Sequence, residues 1–157
     1  MKIIKINDSY VNDVKIILRE AFLPLLEKYH DEKESPANKT SENILYDLQR
    51  KNSDAYLLTL NEKPIGYVRV GQRGEGEFTI ADLAILPLYQ GNGYAQFFLK
   101  EIEKIYYMAK KWSLVTVKEE AKDCHLYEKL GYVQKHILKE VNDNMHFVLY
   151  IKYTEQQ

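Results

Sequence analysis

The residues with the clearest chemical potential lie in one short stretch, residues 81–95, whose sequence is ADLAILPLYQGNGYA. An apolar run ends at Pro87, a short loop follows, and Gly91 and Gly93 precede apolar residues at helical spacing. Glycines at a strand-to-helix junction leave backbone N–H groups unobstructed, and the start of a helix carries partial positive charge. The stretch therefore predicts a binding site for an anion such as a phosphate or pyrophosphate.

Three phosphate-binding patterns compete for this loop. The Walker pattern needs a Gly-Lys-Ser/Thr run, which the sequence lacks. The dinucleotide pattern needs Gly or Ala three residues after its second glycine, where Gln96 stands, and the loop lies mid-chain. The third pattern, Gln/Arg-x-x-Gly-x-Gly/Ala, is met by Gln90, Gly93 and Ala95. Only this last pattern fits the residues.

That pattern resembles the pyrophosphate-binding motif of the GNAT superfamily of acetyl-CoA-dependent N-acyltransferases. Two more features are similar to the superfamily at matching distances. Ile85-Leu86-Pro87 precedes the loop where members carry Val-x-Pro, and YEKLGY at residues 127–132 follows where members carry Tyr-Glu-Lys-x-Gly-Phe. The element order extends the resemblance to nearly the whole chain, although only residues 81–132 carry specific motifs.

The elements that must position these residues follow from the hydrophobic pattern. It predicts the order β-α-α-β-β-β-α-β-α-β-β, with Pro24 kinking or ending the first long helix. The resemblance implies an α/β (α+β) fold: a single GNAT-like domain over residues 1–157, with a mixed, mostly antiparallel sheet of about seven strands flanked by about four helices and splayed at strands 4 and 5. The apolar last strand, residues 147–151, is expected at a sheet edge that pairs in a homodimer.

The resemblance also implies how acetyl-CoA would bind as a cosubstrate. A bulged fourth strand would offer an N–H group to the thioester oxygen and pair with the pantetheine arm, and the glycine loop would hold the pyrophosphate. The residues expected to bind the cofactor are Leu83, Ala84, Ile85, Leu86, Gln90, Gly91, Asn92, Gly93, Tyr94, Ala95, Tyr127 and Lys129.

One tyrosine and several carboxylates are candidates for moving protons. Tyr127 matches the superfamily position that often serves as general acid for the departing thiolate; a packing tyrosine is the alternative, because the chain has 13 tyrosines. A phenol titrates near pH ~10 and so keeps its proton at neutral pH. Asp82 and Glu120 are candidate bases, with Glu77 and Glu119 as further candidates. Glu120 stands where many members carry a cofactor-binding Asn, and a solvated strand charge is the alternative for Asp82.

Composition bounds the classes of function. The 157 residues include 22 Lys+Arg and 23 Asp+Glu. This balance argues against a protein that binds nucleic acid mainly by neutralising its phosphates. A single cysteine, Cys124, excludes an intrachain disulfide, and the histidines are scattered, so no metal site is expected. No signal peptide and no membrane-spanning apolar run are recognisable, which predicts a cytoplasmic protein.

Two functions stay open. The first is an N-acetyltransferase that moves an acetyl group from acetyl-CoA to a primary amine by direct attack in a ternary complex. The second is a catalytically silent module of the same fold that binds acyl-CoA as a sensor or interaction protein. The resemblance implies that an acceptor, a small molecule or peptide, contacts residues 22–44 and 140–145. The slight acidic bias of residues 27–34 favours a cationic amine, and Tyr29 and Tyr46, with Tyr56, are candidate pocket walls.

Overall fold

In the computed structural model, which describes residues 1–154, seven strands alternate with four α-helices in the predicted order. Short 3-10 turns occupy the connections before α1, before α2 and before α3. The elements are β1 (Lys2–Ile6), α1 (Val11–Tyr29), α2 (Ser41–Gln49), β2 (Ser53–Leu60), β3 (Lys63–Gly74), β4 (Glu77–Ile85), α3 (Tyr94–Ile105), β5 (Lys111–Val117), α4 (Ala121–Lys129), β6 (Val133–Asn142) and β7 (Met145–Tyr153). Within residues 1–154, no helix has the length and apolar character needed to cross a membrane.

The helix α1 continues through Pro24, so the expected end at that proline is wrong. It stops at His30, whose left-handed backbone (φ 58°) closes the last turn. Val14 and Ile17 are buried before the proline and Tyr29 is buried after it. Packing on both sides holds the helix together, although proline removes one backbone hydrogen bond.

The strands form one sheet in the order β1-β2-β3-β4-β5-β7-β6. All neighbours are antiparallel except β4 and β5, which run parallel and pair only through residues 77–80 and 111–114. Beyond these pairs the two strands separate, so residues 81–85 of β4 have no partner on the β5 side. The predicted splay at strands 4 and 5 is confirmed.

The free edges of this sheet are β1 and β6, and the expectation that residues 147–151 form an edge is wrong. The strand β7 lies between β5 and β6 and pairs with both. Its Val148 and Tyr150 are buried in the core, which explains the apolar sequence. Most side chains of β6 are exposed instead.

Helices cover the two faces of the sheet in separate groups. On one face Phe98 and Leu99 of α3 and Tyr127 of α4 pack on the strands, whereas Ile17 of α1 and Ile44 of α2 pack on the other. Side chains along β2 alternate between the two cores, as strand geometry requires. The start of α3 and the segment between α1 and α2 therefore approach the end of β4 from opposite faces.

Candidate active site

A β-bulge distorts β4 where it separates from β5. The register between β3 and β4 shifts so that Val68 alone lies opposite both Asp82 and Leu83. Asp82 takes a left-handed backbone conformation with a φ of 54°, which is uncommon for a residue with a side chain. Bulges end regular pairing and re-aim the groups that follow them. The fourth strand is thus bulged, as the resemblance implied.

Four of the residues expected to bind the cofactor lie on the unpaired part of β4 or just after it: Leu83, Ala84, Ile85 and Leu86. The side chains of Ala84, Ile85 and Leu86 are buried, so this stretch presents mainly backbone toward the gap between β4 and β5. An unpaired strand edge carries N–H and C=O groups that an extended ligand can satisfy.

The glycine loop leads directly into α3. Gly91 and Gly93 have positive φ values of 81° and 79°, and no atom lies within 4 Å of the position a Cβ would take on either. Gly93 is the residue that caps α3, and within the described chain no side chain caps that helix. The first N–H groups of α3 therefore combine open space with the positive end of the helix dipole.

The polar side chains of this loop brace it internally. The amide of Gln90 donates from Nε2 to the Ile85 carbonyl over 2.8 Å, and the amide of Asn92 donates to the carbonyls of Tyr89 and Gln90 over 3.2 and 3.3 Å. Tyr94 is half-buried against the α3 core, as is Ala95 beside it. An anion bound here would contact mainly backbone N–H groups. Gln90 and Asn92 would stabilise the conformation of the loop.

Tyr127 lies on α4 and is buried, with 8% of its surface exposed. Its ring packs against those of Tyr132 and Tyr150 at centroid distances of 6.1 Å. Burial, together with the nearby Asp123 and Cys124, raises the pKa of Tyr127 well above its ordinary value. The phenol therefore keeps its proton at neutral and moderately alkaline pH. Two residues further along, exposed Lys129 ends the same helix.

The side chain of Asp82 belongs to a group of four charges that we call the bulge cluster: Lys39, Asp47, Arg69 and Asp82. The Nζ of Lys39 lies 2.5 Å from Asp82 Oδ2 and 2.7 Å from Asp47 Oδ2. A guanidinium nitrogen of Arg69 lies 3.6 Å from Asp82 and 3.9 Å from Asp47. All four side chains are largely buried. Asp82 is therefore paired between two cations and is not a solvated strand charge.

Glu120 precedes α4 and joins it to the end of α1. Its Oε2 accepts hydrogen bonds from the Tyr29 hydroxyl at 2.5 Å and from Lys28 Nζ at 2.9 Å. Burial alone would raise the pKa of Glu120, but these two hydrogen bonds outweigh it and hold the pKa below its ordinary value. Glu120 is thus a carboxylate that already has two partners.

The two segments expected to contact an acceptor meet beside the end of β5. Asn142 donates from Nδ2 to the Tyr29 carbonyl over 2.9 Å, and Lys139 of β6 forms an ion pair with Glu34. Tyr29 also packs with Met145, at the start of β7, in a small buried cluster. These contacts hold the segment between α1 and α2 against the turn between β6 and β7.

Of the three tyrosines expected as pocket walls, Tyr29 lies where these segments meet, and Tyr46 is 68% exposed beside an open pocket next to α2. Tyr56 does not belong to this region, because it is buried on the α3 face and its hydroxyl is hydrogen-bonded to that of Tyr106 at 2.8 Å. Among the described residues, no group of His, Cys, Asp and Glu side chains is arranged to hold a metal ion.

Comparison with known sequence families shows which family has this sequence pattern. The profile described as the acetyltransferase (GNAT) family matches residues 17–132, most of the chain. The chain belongs to this family. No curated protein matches the sequence.

Solved structures share the GNAT fold at low sequence identity. The PaiA N-acetyltransferase from Thermoplasma acidophilum, in complex with coenzyme A, has a TM-score of 0.78 at 14% identity, with 98% of each chain covered. The ribosomal-protein-S18-alanine N-acetyltransferase from Escherichia coli has a TM-score of 0.79 at 16% identity, with 99% of this chain and 95% of that one covered. An aminoglycoside 6'-acetyltransferase type Ii reaches 0.73 at 16% identity over 100% and 99% of the two chains.

The GNAT motifs did not reveal Lys39, Asp47 and Arg69, which surround Asp82. Lys39 and Asp82 are 43 positions apart, so no local spacing connects them. The one indication in the sequence is Arg69, a charged residue between Val68 and Val70 in residues 64–71, which carry no other charge. A charge at a buried strand position requires a partner.

Proposed function

We propose that this GNAT-family chain is an N-acetyltransferase that moves an acetyl group from acetyl-CoA to a primary amine of a small molecule or peptide. The observation that carries the proposal is the gap between β4 and β5, with its bulge at Asp82, together with the start of α3, which no described side chain caps. An unpaired strand edge suits an extended arm, and a helix start suits a pyrophosphate. The CoA-bound acetyltransferase with the same fold supports this use of the gap.

In this proposal the chain holds the cosubstrate mainly through backbone. The residues after the bulge, 83–86, pair with the pantetheine arm, and residues 90–95 hold the pyrophosphate, with Lys129 a further contact at the end of α4. Acetyl-CoA supplies an activated acyl group. Backbone N–H groups freed at the bulge stabilise the negative charge that develops on the thioester oxygen.

Proton transfer is assigned to side chains around the same gap. Tyr127 donates a proton to the departing thiolate, a role that its raised pKa suits because the phenol stays protonated. Asp82 and Glu120 are the proposed acceptors for the proton of the amine, directly or through water. Asp82 and Glu120 each already bind a lysine ammonium of the chain, which favours a cationic amine as the substrate that receives the acetyl group.

A silent acyl-CoA-binding module is the second candidate. The observation in its favour is that both proposed bases are engaged, Asp82 by Lys39 and Arg69 and Glu120 by Lys28 and Tyr29. The oxygens that accept these partners, Oδ2 of Asp82 and Oε2 of Glu120, are then not free to take the proton of a substrate.

Two measurements separate these functions. Acetyl-CoA at 100 times its Kd should stabilise the fold by about 2.7 kcal/mol in a thermal-shift titration, whichever function is correct. A thiol-release assay would then be run with amino acids, polyamines, aminoglycosides and peptides. CoA release that requires one of these amines supports the enzyme. Binding without release across the panel supports the silent module, and no thermal shift contradicts both.

A further inference from the structure

Lys39 brings a primary amine of the chain itself to the bulge of β4. It follows the turn Pro36–Asn38, in the segment between α1 and α2. Its Nζ lies 2.5 Å from the carboxylate of Asp82, the residue whose left-handed backbone forms the bulge. Within residues 1–154, the ion pairs of the other lysines involve carboxylates outside β4.

The amine of Lys39 is also reachable from the side of the acceptor. The side chain is 23% exposed, and together with Asp47 and Tyr46 it lines an open pocket of about 350 Å³ between the α1–α2 segment and α2. Lys39 therefore lies between this pocket and the strand edge to which the thioester is assigned. A cationic acceptor entering by the pocket would first meet Asp47, the carboxylate that Lys39 shares with this pocket.

We propose that Lys39 is an acetylation site of this protein, modified by the chain's own transferase reaction. The inference rests on the proposed function, because the acetyl group comes from acetyl-CoA bound along β4. The ammonium of Lys39 first passes one proton to Asp82. The Nζ lone pair then forms a bond to the thioester carbonyl carbon, the C–S bond breaks, and its electron pair leaves on sulfur.

The protons that leave Lys39 in this reaction are all accounted for. Tyr127 protonates the thiolate, and the new amide nitrogen loses a second proton. One of the two protons from Lys39 returns to Tyr127 and the other passes to water. The products are Nε-acetyl-Lys39, coenzyme A with a free thiol, and one released proton.

Acetylation would change the charge of the bulge cluster. The amide of acetyl-Lys39 is neutral, which leaves Arg69 as the one cation of the cluster facing two carboxylates, Asp47 and Asp82. Removing one partner from a largely buried ion pair is destabilising, because the remaining charge stays desolvated. We expect the modified protein to melt at a lower temperature than the unmodified protein, and its Asp47 and Asp82 to be open to an incoming ammonium.

The test is a time course with acetyl-CoA alone, read by peptide mass spectrometry. Lys104 is the matched control, because it also pairs with a carboxylate, Glu101 of α3, but its side chain is 73% exposed, against 23% for Lys39. Uncatalysed acetylation favours the exposed amine. We expect Lys39 to be modified at least about tenfold faster than Lys104, because its partner Asp82 lies on the strand to which the thioester is assigned. The rate should not depend on protein concentration.

Two variants identify the source of the modification. Tyr127→Phe should slow acetylation of Lys39 and leave that of Lys104 unchanged. Lys39→Arg keeps the positive charge and should remove the modified peptide while Lys104 reacts as before. A further measurement does not depend on acetyl transfer by the enzyme. It uses an acetyl N-hydroxysuccinimide ester, which labels amines chemically. Added desulfo-coenzyme A, which has no thiol to react with the ester, should shield Lys39, and not Lys104, from this label.

The failures of the two proposals are distinguishable. If amines of the panel are acetylated while Lys39 is modified no faster than Lys104, the inference is overturned and the proposed function stands. A rate at Lys39 that rises in proportion to protein concentration also overturns it, because the acetyl group would then come from another molecule. If neither CoA binding nor acetylation of any amine is found, the proposed function fails and the inference fails with it.

Discussion

Tyr127 is suited to donating a proton because of its burial against two other tyrosine rings. Tyr127→Phe keeps the ring packing and removes the hydroxyl, so kcat should fall about 100-fold, the lower range of a general-acid contribution, with little change in the affinity for acetyl-CoA. Steady-state kinetics and calorimetric binding measure the two effects. Tyr107→Phe, at a tyrosine that is 82% exposed, is the matched control. An unchanged kcat would remove Tyr127 from the mechanism.

Asp31 is a buried carboxylate, and within the described residues its Oδ1 has no hydrogen-bond partner. Burial, with a smaller repulsion from Glu32 and Glu34, raises the pKa of Asp31 above its ordinary value of 3.8. Folding therefore favours the protonated form. The stability that this preference for the protonated carboxyl adds to the fold is fully present below pH 3.8. It is lost as the pH rises through the folded-state pKa of Asp31.

Asp31→Asn, which cannot ionise, should consequently raise the melting temperature at pH 7. It should also weaken the dependence of stability on pH between 3.8 and neutrality. Thermal denaturation across this pH range measures both effects. Glu32→Gln, at the exposed neighbouring residue, should change stability little. A lower melting temperature for Asp31→Asn would mean that the folded protein needs the charge of Asp31.

At the scale of elements, the glycine loop depends on backbone conformation. Gly93→Ala would place a Cβ in open space, but at a φ of 79°, so its cost is strain of about 1–2 kcal/mol and not a clash. We expect a lower urea midpoint and weaker binding of coenzyme A, measured by denaturation and calorimetry. Gly74→Ala is the control, because its Cβ would meet Glu77 at an ordinary 3.5 Å without a positive φ. Equal effects of the two substitutions would contradict this role.

The elements themselves were largely predictable, and their exceptions have physical causes. Alternating and helical spacing located the strands and helices, and glycine and proline located the loops. The helix end that was one of the two expectations at Pro24 was wrong, because a local rule cannot include the packing of Tyr29 beyond it. The position of β7 was misjudged because an apolar strand is equally expected at a pairing edge and in a sheet interior.

At the scale of the whole molecule, the free edge at β6 is where a second copy would pair. Exposed Val133, Ile137 and Leu138 lie along this strand. An unpaired edge with apolar side chains favours association. We therefore predict a homodimer of twice the chain mass of 18.5 kDa in light scattering coupled to size exclusion.

The substitutions Ile137→Lys and Leu138→Lys, made together, should convert this dimer to monomer, because charges oppose edge-to-edge pairing. Ile16→Lys, at an exposed residue of α1, is the control and should leave the dimer intact. A monomeric wild-type protein, or a dimer unaffected by the paired substitutions, would contradict pairing through β6.

The sequence by itself determined the features that depend on neighbouring residues. The loop at residues 90–95 needs glycine because only glycine adopts positive φ without strain, and the apolar repeat after it defines α3. Motifs around residues 85–87 and 127–132 were enough to indicate the GNAT family and to select Tyr127. Each of these properties is encoded within a few positions of the chain.

Only the tertiary structure decided what surrounds Asp82. The bulge at that residue comes from a register shift against β3, and its charge is balanced by Lys39, which is 43 positions away. Both depend on how β3 and the segment between α1 and α2 lie against β4, a property of the assembled fold that no short segment contains. The glycine loop was therefore visible in the sequence, while the lysine held at the bulge emerged only when the chain was folded.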